Sequence, residues 1–235
     1  MLYIDTILGA PRDGSVSLAE QQRGFDSGTA QQKSTFQAAV GGALTVATLQ
    51  TLLTLSPAVG TTARVTAAIV SGGVPNTRWV YQSDGWRLDG QQALVHDVTQ
   101  VTGAASTTEQ TLKTYTFDAL ALERVRILRP QISATRSGTA EVLTLRGRFS
   151  GVQLQGSAST SGTNKQVMIT SSVWSPTSGK LAVENDTIKV GGGSVFLDYV
   201  ESSVNTTLAV PYTLTCQMSV GAETPTVRYV FLHGS

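Results

Sequence analysis

The sequence predicts an all-β protein: a C-terminal jelly-roll-like β-sandwich, preceded by a small α/β hairpin module and an extended N-terminal arm. Three observations predict it. Charged residues make up only 14% of the chain, against a usual share of about 25%, and Thr, Ser, Gly, Val and Gln fill the gap. Branched Thr and Val side chains fit a pleated surface, while Gly and Ser suit the turns between strands. Past residue 110, short runs of alternating apolar residues follow one another, separated by turn residues and without intervening helices. At 235 residues the chain is long enough to bury a sizeable core as one large β-domain or a short series of modules.

Residues 1–40 show neither helical nor strand periodicity. The polar stretch 20–33 has too little apolar surface to fold alone. Leu2, Tyr3, Ile4, Ile7 and Leu8 are apolar anchors that a solvated tail has no need of, so this segment reads as an arm that orders against a neighbouring subunit or the particle it joins.

Residues 41–105 read as a small α/β module. Thr45 is placed to cap a short helix through Leu53, with Val46, Leu49, Leu52 and Leu53 on one side and Ser56-Pro57 ending it. Strands are predicted over 62–70 and 78–82. Ser83-Asp84-Gly85 turns the chain, because an Asp-Gly pair tolerates positive φ, and 86–88 returns.

Residues 106–235 carry predicted strands at 112–117, 124–135, 141–149, 165–174, 180–184, 194–199, 208–220 and 226–233. Turn signals separate them at Ser137-Gly138, 161–164, Ser178-Gly179, Gly191–Gly193 and Gly221. Two sheets closed face to face hide the apolar side of such strands. In the last strand Val227, Tyr229 and Phe231 alternate with Arg228, Val230 and Leu232, so both faces are largely apolar. Such a strand is central in the sandwich or covered by another chain. Val227, Tyr229, Val230, Phe231 and Leu232 are therefore the candidate subunit interface.

The order of these residues resembles the C-terminal jelly roll of many phage fibres and tail-associated proteins. The resemblance is carried by Glu109-Gln-Thr-Leu-Lys-Thr-Tyr-Thr-Phe117, Arg124-Val-Arg-Ile-Leu-Arg129, Gly138-Thr-Ala-Glu-Val-Leu-Thr-Leu-Arg146, Asn205-Thr-Thr-Leu-Ala-Val-Pro-Tyr-Thr-Leu214 and Thr226-Val-Arg-Tyr-Val-Phe-Leu232. The middle part is similar to a small phage-fibre module, in which a strand like Gly60-Thr-Thr-Ala-Arg-Val65 precedes an aromatic hairpin like Trp79-Val-Tyr-Gln-Ser-Asp-Gly-Trp86. The resemblance spans roughly residues 44–235 and has no catalytic signature. It implies a virion structural protein, a homotrimer whose partners are its own copies and other tail or capsid proteins, localised in the virion after assembly in the host cytoplasm.

Other classes are disfavoured by composition. With 17 basic and 16 acidic residues, net +1, and no basic run, the chain lacks the means to neutralise a nucleic-acid backbone. No apolar stretch approaches the ~20 residues that cross a bilayer, and the start lacks a basic n-region and apolar core, so maturation in cytoplasm is expected. The Asn185 and Asn205 glycosylation triplets are then chance matches.

Cys216, the single cysteine, falls on the apolar side of a strand with Tyr212, Leu214, Met218 and Val220, and reads as a small buried side chain. His96 beside Asp97 suggests a triad, but no Gly-x-Ser-x-Gly elbow supplies the nucleophile, and an ordinary histidine near a turn is the better reading. His233 is too remote to join it in a zinc site. Asp84, Asp89, Asp97, Glu184, Asp186, Asp198 and Glu201 offer carboxylates for a depolymerase, yet no β-helix repeat accompanies them. Gly191–Gly193 and Gly41-Gly42 lack the Lys-Ser/Thr of a phosphate loop. No catalytic residue, metal ligand or cofactor is assigned.

Trp79, Tyr81 and Trp86 are the candidates for contact with a host-surface glycan. The competing reading makes them the apolar core of a module with few other large residues, and that reading is favoured. Arg124, Arg126 and Arg129, like Arg146 and Arg148, recur along predicted strands, either to meet acids across a subunit boundary or to solvate a face. Three functions remain in order of support: a fibre or appendage protein, a capsid decoration or head-fibre protein, and a polysaccharide depolymerase. The chain has no heptad stretch from which to build a shaft, which favours decoration; its modules favour the fibre.

Overall fold

The computed structural model describes residues 43–159, 166–177, 179–188 and 197–235. The N-terminal arm at 1–40 and the turns at 161–164 and 191–193 lie outside them. The described chain forms two compact units, one of residues 43–67 and 76–89, the other of 68–75 and everything from Gly90 onward.

In the smaller unit, strands β1 (Leu44–Val46), β2 (Thr62–Val65), β3 (Thr77–Gln82) and β4 (Gly85–Leu88) form one sheet in that order. β1 and β2 run parallel and the rest antiparallel. The parallel pair requires a crossover, and the short helix α1 (Leu49–Leu53) lies within it. Its cap is Thr48, whose Oγ1 accepts from the Thr51 amide, rather than Thr45. Thr45 and Val46 belong to β1, because a backbone in the sheet cannot also open a helix. Gln82 pairs with Gly85, so Ser83-Asp84 makes the predicted turn, and Gly85 takes the left-handed φ of 108°.

The larger unit is an antiparallel sandwich. Its first strands are β5 (Gln92–Asp97), β6 (Val101–Thr102) and β7 (Gln110–Phe117), followed by a helical turn α2 (Ala121–Arg124). β8 (Leu128–Arg136), β9 (Leu143–Phe149), β10 (Val152–Ser159), β11 (Gln166–Trp174), β12 (Lys180–Ile188), β13 (Leu197–Ser203), β14 (Val210–Met218) and β15 (Pro225–Gly234) complete it. One sheet has the order β10-β9-β14-β7; the other has β13-β12-β11-β8-β15-β5, with β6 also on β15. The nested pairs β8–β15 and β9–β14, one in each sheet, give the jelly-roll-like wrapping.

The unit boundary falls elsewhere than residue 105. β5 and β6 pair with β15 near the far end of the chain, which draws 90–105 into the sandwich. Likewise β2 stops at Val65 rather than 70: Ser71 donates to Thr116 O and Asp118 to Ile69 O, so 68–71 runs beside β7. The strand expected over 124–135 begins at Leu128, after α2 opens on Leu120 in the left-handed region. Alternating residues over so short a run do not distinguish a helical turn from a strand.

Leu143, Leu145, Phe149, Tyr212, Leu214, Ile132 and Val167 are fully buried between the sheets, with the Phe149 and Tyr212 rings 4.6 Å apart. Each such side chain contributes about 1.5–3 kcal/mol. Cys216 is buried beside them and its thiol is pushed up to about 12 by desolvation. The β9–β10 hairpin turns on Ser150-Gly151, both at positive φ (48° and 80°). That is the mirror-image turn in which Asn is better than Ser at the first position. Ser150→Asn is expected to raise stability by about 0.5 kcal/mol, read as a higher urea midpoint at unchanged slope.

Candidate subunit interface

β15 presents an outward surface because one residue is inserted in it. Its register on β8 slips between Val227, opposite Ala134, and Tyr229, opposite Ser133. A bulge of this kind reverses the alternation beyond it. Val227, Val230 and Leu232 are therefore all turned inward, each with 0% exposure, while Tyr229 and Phe231 are half-buried on the outward side. Three of the five candidate interface residues are thus corrected: Val227, Val230 and Leu232 pack in this chain's own core.

The two that remain are joined by residues from neighbouring strands. Phe231 lies opposite His96 of β5 and Gln131 of β8, and Gln131 lies opposite Thr170 of β11. The Tyr229 and Phe231 rings stack at 4.8 Å and 17°, and His96 meets Phe231 at 4.5 Å and 63°. The Tyr229 hydroxyl donates to Met168 Sδ at 2.9 Å, and Gln166 Nε2 donates to Ser133 Oγ at 2.7 Å. Tyr229 and Phe231 turn a ring face to each other. The cluster thus gathers on the outward side two stacked rings, an imidazole, a thioether and the side-chain amides of Gln131 and Gln166. His96 and Met168 escaped the sequence reading because their partners lie far along the chain; alternation in β11 was the one local signal for Met168.

Among the described residues, charge on this sheet face is segregated. Arg129 lies opposite His233, and Arg228 donates to Thr135 Oγ1 and Gln100 Oε1 near the β15 end. Toward the other edge stand exposed Glu184, opposite Ser172, and the Lys180–Glu201 pair at 2.9 Å.

The aromatic hairpin is placed differently. Trp79 and Trp86 are buried, at 0% and 2% exposure, with indole N–H groups donating to Thr77 Oγ1 and Leu55 O, both at 2.9 Å. Glycan contact through these two is corrected: they are core. Tyr81 is half-buried, with Trp86 edge-on at 5.2 Å.

Of the carboxylates singled out from the sequence, Asp84, Asp97 and Glu201 are held in ion pairs, Glu184 is exposed, and the side chains of Asp186 and Asp198 lie outside the described residues. Asp97 does not orient His96; its carboxylate accepts from Lys113 Nζ (2.7 Å), the Tyr115 hydroxyl (2.6 Å) and the Thr99 amide (2.8 Å). Burial pushes this carboxyl up, but the Lys113, Tyr115 and Thr99 bonds, with the Lys113 charge, outweigh it and bring it to about 2. Arg148 grips Glu109 through Nε and Nη2 at 2.9 and 3.0 Å, with Arg146 at 3.5 Å and the Thr215 hydroxyl on the same carboxylate. Those arginines thus meet an acid of their own chain, and the Arg148 bonds hold Glu109 below the usual carboxylate range against burial. Glu141 accepts from the amides of Val220, Gly221, Ala222 and Glu223. Desolvation raises its carboxyl, and the four amides more than cancel that and lower it. Arg136, buried, approaches Glu223 at 3.9 Å. Among the described residues no three His, Cys, Asp or Glu side chains converge as metal ligands.

No family model matches the sequence, and no curated protein matches it. Among solved structures the chain is similar to lectin I of Ulex europaeus, crystallised in complex with the methyl glycoside of α-L-fucose. Identity is 9%, covering 62% of this chain and 91% of that one, with a TM-score of 0.34. It is also similar to the CBM2 module of an evolved Dit from Lactobacillus casei BL23 phage J-1, at 6% identity, 51% and 68% coverage and a TM-score of 0.25.

Proposed function

We propose that this chain is a non-enzymatic structural component of a tailed-phage particle, a short trimeric appendage protein anchored by its N-terminal arm. Copies meet over the outward face of β15. The observation that carries this reading is the Tyr229–Phe231–His96–Met168 cluster, a half-exposed aromatic patch on the outward face of this sheet. Aromatic rings and sulfur pack well against protein. The segregated charges favour a second copy as occupant, since the basic end of one face complements the acidic end of another. A non-enzymatic role is supported by how the acids are employed: Asp97, Glu109 and Glu141 are each committed to several donors that hold them ionised.

Sedimentation of the full chain tests this reading, with a trimer expected at pH 8. Phe231→Glu places a charge on the patch without touching the core, and is expected to weaken association at least a hundredfold while circular dichroism stays unchanged. A monomeric wild type, or a trimeric variant, defeats the proposal. Imaging of labelled protein on particles separates appendage from decoration: signal spread over the head favours decoration, the reading that the lack of heptads in the chain supports.

A further inference from the structure

Among the described residues, the outward face of the β10-β9-β14-β7 sheet carries more positive charge than its own chain balances. The four strands contain Lys113, Arg146 and Arg148 and no acidic residue. Lys113 turns inward to Asp97. The two arginines stand outward and share the carboxylate of Glu109, the residue before β7. Arg148 takes that carboxylate in a fork through Nε and Nη2, and the Thr215 hydroxyl adds a third bond. Arg146 approaches it at 3.5 Å through Nη1, which also donates to Gln217 Oε1 at 3.0 Å. Among the described residues Arg146 thus meets its own chain through one nitrogen, although a guanidinium has five N–H donors. Its side chain is 19% exposed. Two cations on one carboxylate leave one positive charge over, with Nε and Nη2 of Arg146 to present it.

Hydroxyls and amides surround that charge in register. One row runs Gln153, Arg148, Thr213, Thr114 across all four strands, and the next runs Arg146, Thr215, Thr111. The aromatic rings of these strands, Tyr115, Phe117, Phe149 and Tyr212, are all buried in the core. Protein interfaces centre on such rings, and single-stranded nucleic acid stacks its bases on them. One surplus charge is also far short of what a phosphodiester chain requires. The face instead matches a ligand rich in hydroxyls that bears an isolated negative charge. We infer that it binds an anionic saccharide, whose carboxylate or phosphate meets Arg146 and whose hydroxyls meet the neighbouring threonine and glutamine side chains. The planar guanidinium fits either anion through two parallel bonds. Glu109 and Gln217 hold Arg146 beforehand, and Gln217 is itself fixed by Nε2 donating to Thr107 O at 2.8 Å. Little side-chain order is then lost on binding. The inference goes beyond the interface reading and does not depend on it, because β15 belongs to the other sheet and leaves this face open.

The test is calorimetric titration of the full chain at pH 7 with trigalacturonate, its methyl ester, and glucose phosphorylated on its primary hydroxyl. At least one acidic probe is expected to bind, and at least tenfold more tightly than the ester, because charge-assisted hydrogen bonds are about twice as strong as neutral ones. Whichever acid binds more tightly identifies the charged group. Arg146→Gln is expected to weaken that binding at least tenfold, with circular dichroism and urea midpoint nearly unchanged, since Arg148 keeps Glu109 paired. Arg146→Lys is expected to recover part of the loss, as it keeps the charge without the fork. Phe231→Glu, which separates the copies, is expected to bind the probes as wild type does, so that the site and the interface fail separately. No binding of either acid up to millimolar concentration overturns the inference. So does equal binding of acid and ester, or an Arg146→Gln variant that binds like wild type.

Discussion

Trp79→Ala is expected to cost the smaller unit about 3–5 kcal/mol, enough to open most of it. The indole has 0% exposure and is among the largest fully buried side chains, and its N–H is satisfied by Thr77 Oγ1. Among the described residues, the four-stranded sheet and its five-residue helix have few other large groups to take its place. Alanine leaves a cavity that short strands cannot close without losing register. Hydrogen exchange reads the result directly, with faster exchange expected across β2, β3 and β4. Tyr81→Ala, at a half-buried position, is expected to cost about 1 kcal/mol or less. Equal and small effects at both positions would return the hairpin to the status of a ligand-contact surface.

Lys113→Met has the second largest expected effect, and it depends on pH. Lys113 is buried, and its ammonium is shared between Asp97 and the Thr99 carbonyl, at 2.7 and 2.6 Å. It links β7 of one sheet to β5 of the other. Methionine keeps the stem and removes the charge, leaving a partly buried carboxylate without its cation. The loss at pH 7 is expected to be about 2–3 kcal/mol, below the cost for a fully buried pair because Asp97 keeps some solvent contact. Since the Asp97 carboxyl lies lower in the folded chain than in the unfolded one, its contribution is present above about pH 4 and vanishes as pH falls toward 2. Urea midpoints of wild type and variant should therefore differ widely at pH 7, draw together below about pH 4 and converge only as pH falls toward 2. A difference that stays the same across this range would show that packing, and not the ion pair, sets the cost.

Much of the sandwich is legible in the sequence, because strands such as β9 and β14 alternate cleanly and end at turn residues. What escaped was set by distant partners or by single inserted residues. β10 follows a Ser-Gly turn of positive φ and carries register irregularities on β9, so alternation does not mark it. β5 and β6 are short, and only pairing with β15 assigns them to the larger unit. Loop-closure entropy is the same whatever residues lie between, so no local pattern announces such a partner. At the candidate interface the sequence supplies Tyr229 and Phe231, while the bulge at Arg228 takes Val227, Val230 and Leu232 away. For the hairpin, composition alone ranked the two readings correctly for Trp79 and Trp86, since rings that large are rarely left wet where little else is available to pack.

Glu141 reaches across the fold to the 220–223 turn, where four amides converge on one carboxylate. Concavities of this type ordinarily capture phosphate or sulfate from solution; here the anion is tethered, some eighty positions upstream. That makes the turn a borrowed shape. Grafted onto another scaffold without Glu141, it would lose the carboxylate that its four amides bind.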